Sequence, residues 1–278
     1  MTHTQHIILG YPNSGKTTFL AALWHLIDAG KSTSLILDKV TGDVAYLNEI
    51  KNIWLKCEQV PRTSISSEEM VEMWVQHTKT KDTSTLHLPD FSGETFQALI
   101  ADRECTEGFV SLFQNTSGIL FFINADRTND MMLVTDHLYP DEAQDDAEVH
   151  LEDFDPRKTP EQTRIVDVLQ LLQSSPLLGS RRRLVVMISA WDVVAVDSIS
   201  PREWIVREMP LLAHYLANNP SAYNAQFCGI SAQGGLFEGE ARNQLLKKDP
   251  ADRVVCLWEG EASRDITLPL TWLCVDDG

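Results

Sequence analysis

The stretch HIILGYPNSGKTT at residues 6–18 decides the fold that the sequence predicts. Three apolar residues predict a short strand, a polar turn follows, and the next residues begin a helical pattern. Within the turn, Gly10-x4-Gly15-Lys16-Thr17 has the spacing of a phosphate-binding loop, in which glycines let successive backbone N–H groups point at phosphate oxygens. The following helix adds the positive end of its dipole. The sequence therefore predicts a P-loop at this point.

Each residue type in the loop has a physical role. Lys16 is predicted to reach the β- and γ-phosphates as a compact cation, and the hydroxyl of Thr17 to ligate Mg²⁺, a hard ion that prefers oxygen. An ordinary glycine-rich turn is the alternative, but the preceding strand and the apolar residues at helical spacing as far as Gly30 favour the P-loop. The remaining nucleotide-binding residues predicted here are Gly10, Asn13, Ser14, Gly15 and Thr18.

Length and charge limit the classes of protein to consider. A chain of 278 residues with 43% hydrophobic content can form one large domain or two small ones, and we favour a single domain over residues 1–278. The net charge of −17 argues against a nucleic acid or an anionic membrane as partner. The basic run at residues 181–183 is interpreted as a solvated entrance to a strand. Apolar runs fall well short of the roughly 18 residues of a membrane span.

Cysteine usage and the position of the P-loop predict a cytoplasmic protein. The five cysteines are odd in number and widely spaced, so they form neither a CxxC pair nor a zinc pattern, and we predict buried free thiols in a reducing compartment. Because the loop begins at Gly10, removal of a leader peptide would destroy it, and we expect none.

Two segments are predicted to be insertions. Apolar residues at three- and four-residue steps predict an amphipathic helix over residues 42–57, within a helical insertion at about 39–60. Nine of the twenty residues from 136 to 155 are Asp or Glu and none is Lys or Arg, which predicts an extended or mobile surface insertion at about 127–158. EF-hand spacing is missing, so metal binding is not favoured. Docking to a basic partner is the alternative to a solvated loop.

Two further polar clusters have the chemistry of a nucleotide switch. Residues 61–64 open a polar loop in which a threonine could reach Mg²⁺ and the γ-phosphate; Thr63 is our choice, although other Ser and Thr residues lie nearby and an ordinary polar loop is the alternative. A strand at 85–88 leads to Asp90-x-x-Gly93. The carboxylate can hold Mg²⁺ through water, and the Gly93 N–H can bind the γ-phosphate. Residues 95–105 are expected to form a short mobile helix.

Strands and helices alternate through the rest of the chain. Apolar runs at 118–124, 184–188 and 226–230 predict buried strands, and capping boxes that begin at Thr159 and Ser200 predict helices, with Pro210 interrupting the second. This alternation predicts right-handed crossovers and an α/β fold of three layers: a mostly parallel sheet with helices on both faces. Ligands then collect at the carboxyl ends of the strands, where the polar clusters lie.

The order of these clusters resembles a translation-factor-class P-loop GTPase. The P-loop, Asp90-x-x-Gly93, the run from Ser189 to Asp192, and Ser231-Ala232 match its first, third, fourth and fifth motif elements across most of the chain. The ending at residues 264–273 and the long insertion before the switch are similar to the bacterial double-GTPase group of that class. This resemblance implies a G-domain-like fold, GTP or GDP with Mg²⁺ as ligands, and a regulatory role in a conflict or defence system.

The resemblance also assigns the base-reading residues. It implies that Asp192 accepts hydrogen bonds from the guanine N1–H and amino group, which adenine cannot supply, and that the Ser231-Ala232 backbone contacts the guanine oxygen. Ser189 and Ala190 stand where the family has Asn or Thr followed by Lys. For Trp191, a core position is favoured over stacking on the base.

Hydrolysis is predicted to be slow. Active members of the family often have glutamine after the glycine of the third element to orient the attacking water, and this chain has Glu94, whose charge repels the γ-phosphate. The catalytic residues predicted are Lys16, Glu94 and Thr63, and the metal ligands are Thr17, Thr63 and Asp90. Arg62 or a partner protein could supply an arginine to the transition state; for Arg62 a plain surface role is an equal alternative.

The leading hypothesis is thus a GTP-binding switch with slow, Mg²⁺-dependent hydrolysis, whose segments around Thr63 and Glu94 change order when the γ-phosphate leaves. The expected partners are effector or regulator proteins, with an oligomer through the switch face as a further option. A scaffold that binds nucleotide without hydrolysing it is the alternative. An ATP-using P-loop enzyme is less favoured, because Asp192 and Ser231-Ala232 select guanine.

Overall fold

In a computed structural model of the chain, the described residues include nine strands that form a single mixed sheet. The structure describes residues 3–32, 34–60, 71–88, 99, 102–126, 159–194 and 199–274. The order across the sheet is β2-β3-β4-β1-β5-β6-β7-β8-β9. The strands are β1 (His3–Gly10), β2 (Leu35–Thr41), β3 (Val71–His77), β4 (Thr83–Leu88), β5 (Gly118–Asn124), β6 (Arg182–Ser189), β7 (Tyr223–Ser231), β8 (Val255–Trp258) and β9 (Glu261–Ser263).

The centre of the sheet is parallel and its two edges are antiparallel. Strands β4, β1, β5, β6 and β7 pair in parallel, whereas β2 and β3 add an antiparallel ribbon at one edge and β8 and β9 add another at the opposite edge. Only β3 and β8 among the described strands run against the others, so the prediction of a mostly parallel sheet is confirmed. The carboxyl ends of β1, β5, β6 and β7 therefore meet at one edge, where a ligand site is expected.

Helices cover both faces of the sheet. One face packs against α1 (Lys16–Asp28), α2 (Val44–Leu55) and α10 (Leu268–Cys274), and the other against α3 (Glu107–Gln114), α4 (Glu161–Leu171), α5 (Trp191–Val194), α6 (Pro201–Glu208) and α7 (Pro210–Asn218). Two further helices, α8 (Gly239–Leu246) and α9 (Pro250–Arg253), lie between β7 and β8 in the chain. Alternate residues of β1 explain the two cores, because Ile8 belongs to one and Ile7 and Leu9 to the other. The three-layer α/β P-loop fold is confirmed.

Helix α2 forms within the segment predicted to be helical. The side chain of Asp43 caps its N-terminus, with Oδ1 accepting from the Tyr46 N–H at 2.8 Å. The helix packs against α1, where Trp24 Nε1 donates to Asn48 Oδ1 at 3.1 Å. The strand β2 precedes it, so residues 39–41 are extended.

The two predicted capping boxes differ in outcome. At Ser200 the box is present: its hydroxyl accepts from the Glu203 N–H, and the Glu203 carboxylate accepts from the Ser200 N–H. Pro210 separates α6 from α7, as predicted. At Thr159 the predicted capping box is wrong in its position, because Pro160, with a ψ of 144°, is the cap residue and not the first helical residue; the Gln162 side chain accepts from the Leu211 N–H at 2.9 Å. The glutamine thus satisfies an end group of α7.

The basic run at 181–183 requires a correction. Arg182 is only 1% exposed, and its guanidinium donates to the carbonyls of Leu172, Phe113 and Leu177 at 2.8–3.0 Å. Burial lowers its pKa. Arg181 is exposed, whereas Arg183 is half-buried and its guanidinium lies over the ring of Trp272. Arg182 therefore binds carbonyls at the ends of α3 and α4 and at Leu177, so the run is not a solvated entrance as a whole.

Some of the remaining predictions fall on residues that the structure describes, and others do not. All five cysteines are described and free; four are buried and Cys105 is half-buried. Every helix in the described ranges is too short or too polar to cross a membrane. The acidic segment at 136–155, the proposed insertion at 127–158 and most of the helix expected at 95–105 lie outside the described residues.

Candidate nucleotide-binding site

The turn between β1 and α1 has the backbone of a phosphate-binding loop. Gly10 and Gly15 have φ angles of 147° and 90°, which residues with a side chain rarely adopt. A Cβ on Gly10 would lie 2.6 Å from the carbonyl oxygen of Phe122, and one on Gly15 would lie 2.6 Å from Ser189 Oγ. Both glycines are therefore required by conformation and by space, as the P-loop prediction supposes.

Lys16 lies folded into this loop. Its Nζ donates to the carbonyls of Gly10 at 2.5 Å and Tyr11 at 2.9 Å, and to Ser14 Oγ at 3.3 Å. These acceptors hold a cation at the mouth of the turn, which suits a ligand that carries negative charge. Thr17 and Thr18 lie half-buried in the first turn of α1, where the predicted metal ligand Thr17 belongs.

The N-terminus of α1 favours an anion. Gly15 occupies the cap position without a capping side chain, and the first turn has no acidic residue. A 13-residue helix therefore points its positive end at the loop without a carboxylate of its own to offset it. The helix closes at Gly30, whose φ of 63° and N–H bond to the Ile27 carbonyl make the predicted C-terminal stop.

The neighbouring strand β5 supports the loop. Asn124, its last residue, donates from Nδ2 to the carbonyl of Asn13 at 3.0 Å, and its Oδ1 accepts from the Asp126 N–H at 2.9 Å. Asn13 has a φ of 65°, an unusual conformation that asparagine tolerates better than most residues. Sequence reasoning marked Asn124 only as the end of a strand, so this support was missed. The available signal was the position of Asn124 at the end of a buried strand beside the P-loop.

Tyr11 joins the loop to the opposite helical layer. It is 5% exposed, and the Arg164 guanidinium of α4 lies over its ring with 4.6 Å between the guanidinium carbon and the ring centroid. Burial raises the pKa of Tyr11 far above its usual value. Tyr11 therefore stays neutral at physiological pH and anchors the loop by packing.

The predicted base-reading residues come together at the ends of β6 and β7. Ser231 Oγ donates to Asp192 Oδ1 at 2.5 Å and accepts from the Gly234 N–H at 3.1 Å. Ser231 is buried, and Ala232 follows it with 8% exposure. The carboxylate and the loop after β7 are therefore held as one unit. We call residues 231–235 the base loop.

The departures from the family pattern occupy defined positions. Ser189 lies against Gly15, and its carbonyl accepts from the Ala125 N–H at 3.0 Å, so the end of β6 contacts the phosphate side of the site. Ala190 has a φ of 53°, a strained conformation for a residue with a Cβ. Trp191 lies in the core with its indole against Gly229, where a Cβ would overlap the ring, so its predicted core role is confirmed.

Two residues that sequence reasoning missed support the base loop from a distance. Trp54 Nε1 of α2 donates to the Ala232 carbonyl at 2.9 Å, and Arg253 lies with its backbone against Gly234. Trp54 is 178 positions from Ala232 in the chain. The helical spacing of Trp54 predicted that it is buried, but did not indicate which residue it bonds to.

Four predicted site residues, Thr63, Asp90, Gly93 and Glu94, lie outside the described residues, as does Arg62. β4 ends at Leu88, two positions before Asp90, and runs parallel to β1, so it ends at the edge of the sheet that carries the P-loop. In the part of the chain that is described, no three His, Cys, Asp or Glu side chains form a metal site. Thr17, the predicted metal ligand that lies in the described residues, has a hydroxyl oxygen, a hard donor of the kind that suits Mg²⁺.

Comparisons with known proteins bear on this site. The family model described as Double-GTPase 1 matches residues 7–273. No curated protein matches the chain. Among solved structures, the GTP-bound GTPase-like domain of S. cerevisiae Ski7 is similar at a TM-score of 0.44 and 14% identity, over 84% of this chain and 43% of that one. The G domain of the T. maritima FeoB iron transporter gives 0.35 and 10%, over 88% and 98%. This chain thus spans less than half of the Ski7 chain.

Proposed function

This chain belongs to the Double-GTPase 1 family, which matches it from the strand before the P-loop to α10, and we propose that it is a GTP-binding regulatory switch. The resemblance read from the sequence is thereby confirmed at the level of the family, and membership supports GTP binding. The finer proposal is slow, Mg²⁺-dependent hydrolysis that controls a partner protein. The observation that carries the proposed guanine-nucleotide binding is the hydrogen bond of Ser231 to Asp192, at the same edge of the sheet as the P-loop.

The phosphate side of the proposal depends on charge. Lys16 and the uncapped N-terminus of α1 place two positive features at one turn of a chain with a net charge of −17. A polyphosphate is the ligand that satisfies both, since its oxygens accept from the lysine and from backbone N–H groups together. Gly10, Asn13, Ser14, Gly15, Thr17 and Thr18 complete the contact surface.

The base side depends on hydrogen-bond polarity. Asp192 accepts one bond from Ser231, and a carboxylate has about four acceptor positions. Its remaining oxygen can accept from the guanine N1–H and amino group, whereas adenine presents an acceptor at N1 and would leave that oxygen unpaired. The backbone N–H of Ala232, in the base loop, can donate to the guanine oxygen. Guanine selection follows from these two groups.

Hydrolysis depends on residues outside the described part of the chain. We propose that Thr63 and Asp90 join Thr17 in holding Mg²⁺, which would neutralise charge on the phosphates, that the Gly93 N–H binds the γ-phosphate, and that Glu94 orients the attacking water. A carboxylate in place of glutamine adds repulsion beside the γ-phosphate, so turnover is slow. Arg62 or a partner would accelerate it.

The biological proposal is a cytoplasmic switch in a bacterial conflict or defence system. Loss of the γ-phosphate would release the segments around Thr63 and Glu94, and a protein partner that prefers one nucleotide state would sense the change. The charge of −17 disfavours nucleic acid as that partner. An oligomer through the switch face is a further proposal.

A scaffold that binds nucleotide without turnover is the second candidate. Two observations favour it: Ala190 stands where the family has lysine, and Glu94 stands where active members often have glutamine. An ATP-using enzyme is less favoured, because the Asp192–Ser231 pair has no role with adenine.

Equilibrium binding of fluorescent GTP, GDP and ATP analogues with Mg²⁺, followed by phosphate release, tests the proposal. We expect guanine nucleotides to bind at least about tenfold tighter than ATP, and phosphate release on the order of 10⁻³ s⁻¹. Selective binding with no phosphate release would establish the scaffold. Equal affinity for ATP and GTP would refute guanine recognition, and the proposed switch with it.

A further inference from the structure

Helix α2 carries a residue that reaches the base loop. Trp54, in the last turn of α2, has no exposed surface, and its Nε1 donates to the Ala232 carbonyl at 2.9 Å. That carbonyl belongs to the loop that follows β7, beside Ser231 and the Asp192 carboxylate. A buried carbonyl that loses its donor costs the protein a full desolvation penalty, so this bond fixes where the loop lies.

Arg253 holds the same tryptophan and the same loop. Its guanidinium carbon lies 5.8 Å from the centroid of the Trp54 ring, and Nη1 donates to the Leu55 carbonyl and the Cys57 Sγ, each at 3.1 Å. Its backbone lies directly against Gly234, where a Cβ would overlap the Arg253 carbonyl oxygen. The side chain of one residue thus fixes the end of α2 while its main chain limits the position of the loop.

The end of α2 is secured by a second arginine. Arg242 of α8 donates from Nε to the Cys57 carbonyl at 2.9 Å and from Nη2 to the Lys56 carbonyl at 3.0 Å. Cations at the carboxyl end of a helix satisfy its last carbonyls and favour its dipole. Trp54 therefore projects from a helix end that two other helices hold in place.

We propose that Trp54 and Arg253 are positioning residues for guanine recognition, because they hold the Ala232 carbonyl and Gly234 so that the base loop is formed before nucleotide binds. The inference rests on the proposed guanine-nucleotide site. With Ser231 bonded to Asp192 and to the Gly234 N–H, the loop is held at Ser231, Ala232 and Gly234, and the bond to Ala232 comes from α2. A loop formed in advance avoids an ordering cost on binding.

The Trp54→Phe variant tests this role, since it keeps an aromatic ring but removes the donor. We expect GDP affinity to fall about tenfold, with ADP affinity unchanged, because adenine makes no use of the base loop. The ratio of GDP to IDP affinity should stay constant, because inosine lacks only the amino group, which Asp192 reads, and keeps the oxygen that the loop reads.

The matched control is Trp24→Phe. Trp24 is likewise a buried tryptophan whose Nε1 donates to an oxygen, but its acceptor is Asn48 Oδ1 of α2, at 3.1 Å, and not a carbonyl of the base loop. It should lower stability by a similar amount and leave the GDP-to-ADP ratio unchanged. A folded Trp54→Phe protein with the wild-type GDP-to-ADP ratio would overturn the proposal.

Hydrogen exchange of the wild-type protein decides the question even when the variant does not fold. Without nucleotide, the amides of the base loop should already be protected, as should those of residues 44–57, since the two are bonded and the loop is formed in advance. Fast exchange in the loop of the nucleotide-free protein, slowed only when GDP binds, would contradict the proposed support. Wild-type protein that binds GDP and ADP equally would instead refute the proposed function, which is a separate result.

Discussion

The phosphate side and the base side of the site are built in different ways. On the phosphate side, the three acceptors of Lys16 lie within six positions of it in the chain. On the base side, Asp192 is bonded to a residue 39 positions away, and Ala232 to Trp54, 178 positions away. A compact stretch of sequence thus specifies phosphate binding, whereas base recognition depends on packing between distant elements.

This difference predicts how each side should respond to substitution. Changes on the phosphate side should act on every nucleotide alike, because all share the phosphates. Changes on the base side should alter the ratio between nucleotides. Three variants, taken from the largest expected effect to the smallest, test whether the two sides are separate.

Lys16→Ala should have the largest effect. It removes the cation that the loop holds at its mouth, and we expect affinity for GTP, GDP and ATP to fall together by about 100-fold or more, as for loss of a charged hydrogen bond to phosphate. Fluorescent-nucleotide titration measures this loss. Lys31→Ala is the control, since Lys31 is an exposed cation beyond the other end of α1. A change in the GTP-to-ATP ratio in Lys16→Ala would show that the two sides are not independent.

Asp192→Asn should change selectivity more than affinity overall. An amide donates where the carboxylate accepts, so GDP affinity should fall about 10- to 100-fold while ADP affinity is unchanged. Xanthosine diphosphate, which has a carbonyl in place of the amino group, should bind the variant better than the wild type.

The control for that variant is Asp38→Asn, which removes the same charge from an exposed position on the edge strand β2. It should leave every affinity unchanged. An equal loss of GDP and ADP binding in Asp192→Asn would mean that the carboxylate supports the loop without reading the base.

The sequence predicted the compact features of this molecule well. Gly10, Gly15 and Lys16 lie where the P-loop spacing places them, and the Ser200–Glu203 capping box forms as its spacing requires. In each case the interacting groups are neighbours in the chain, so a short pattern contains the whole interaction. That Asp192 and Ser231 belong to one site was predicted only through the family resemblance, and the hydrogen bond between them was not predicted.

The features that sequence reasoning missed depend on distant partners. Arg182 looked like a surface charge because its three carbonyl acceptors lie on other segments of the chain, up to 69 positions away. Gln162 fits the pattern of a local capping box, but its side-chain oxygen accepts from the Leu211 N–H at the start of α7. No sequence pattern indicated the antiparallel pairing at the two edges either, since the partner of each strand depends on the sheet as a whole. Helix α2 was predicted, but its bond to the base loop was not.

A histidine on the strand that carries the P-loop gives the smallest of the three tests, because it lies away from both sides of the site. His6 is 1% exposed, and its Nε2 is bonded to Thr4 Oγ1 at 2.9 Å. Burial, with a smaller contribution from Arg183, lowers its pKa to about 3 from an ordinary 6.5. Below pH 6.5 the unfolded chain therefore binds a proton that the folded protein does not. Stability is unaffected above that pH and falls between 6.5 and 3.

His6 should thus lower the free energy of unfolding by about 2 kcal/mol between pH 7 and pH 5. Urea denaturation of the wild type and of His6→Gln at both pH values measures this, because glutamine keeps a hydrogen-bonding group but does not titrate. His25 and His87, whose pKa values burial also lowers, remain in both proteins, so the difference between the two isolates His6. The same pH dependence in both proteins would contradict the assignment. At pH 7 the variant should keep the wild-type GDP-to-ADP ratio, since a change in stability on β1 alters neither the lysine nor the base loop.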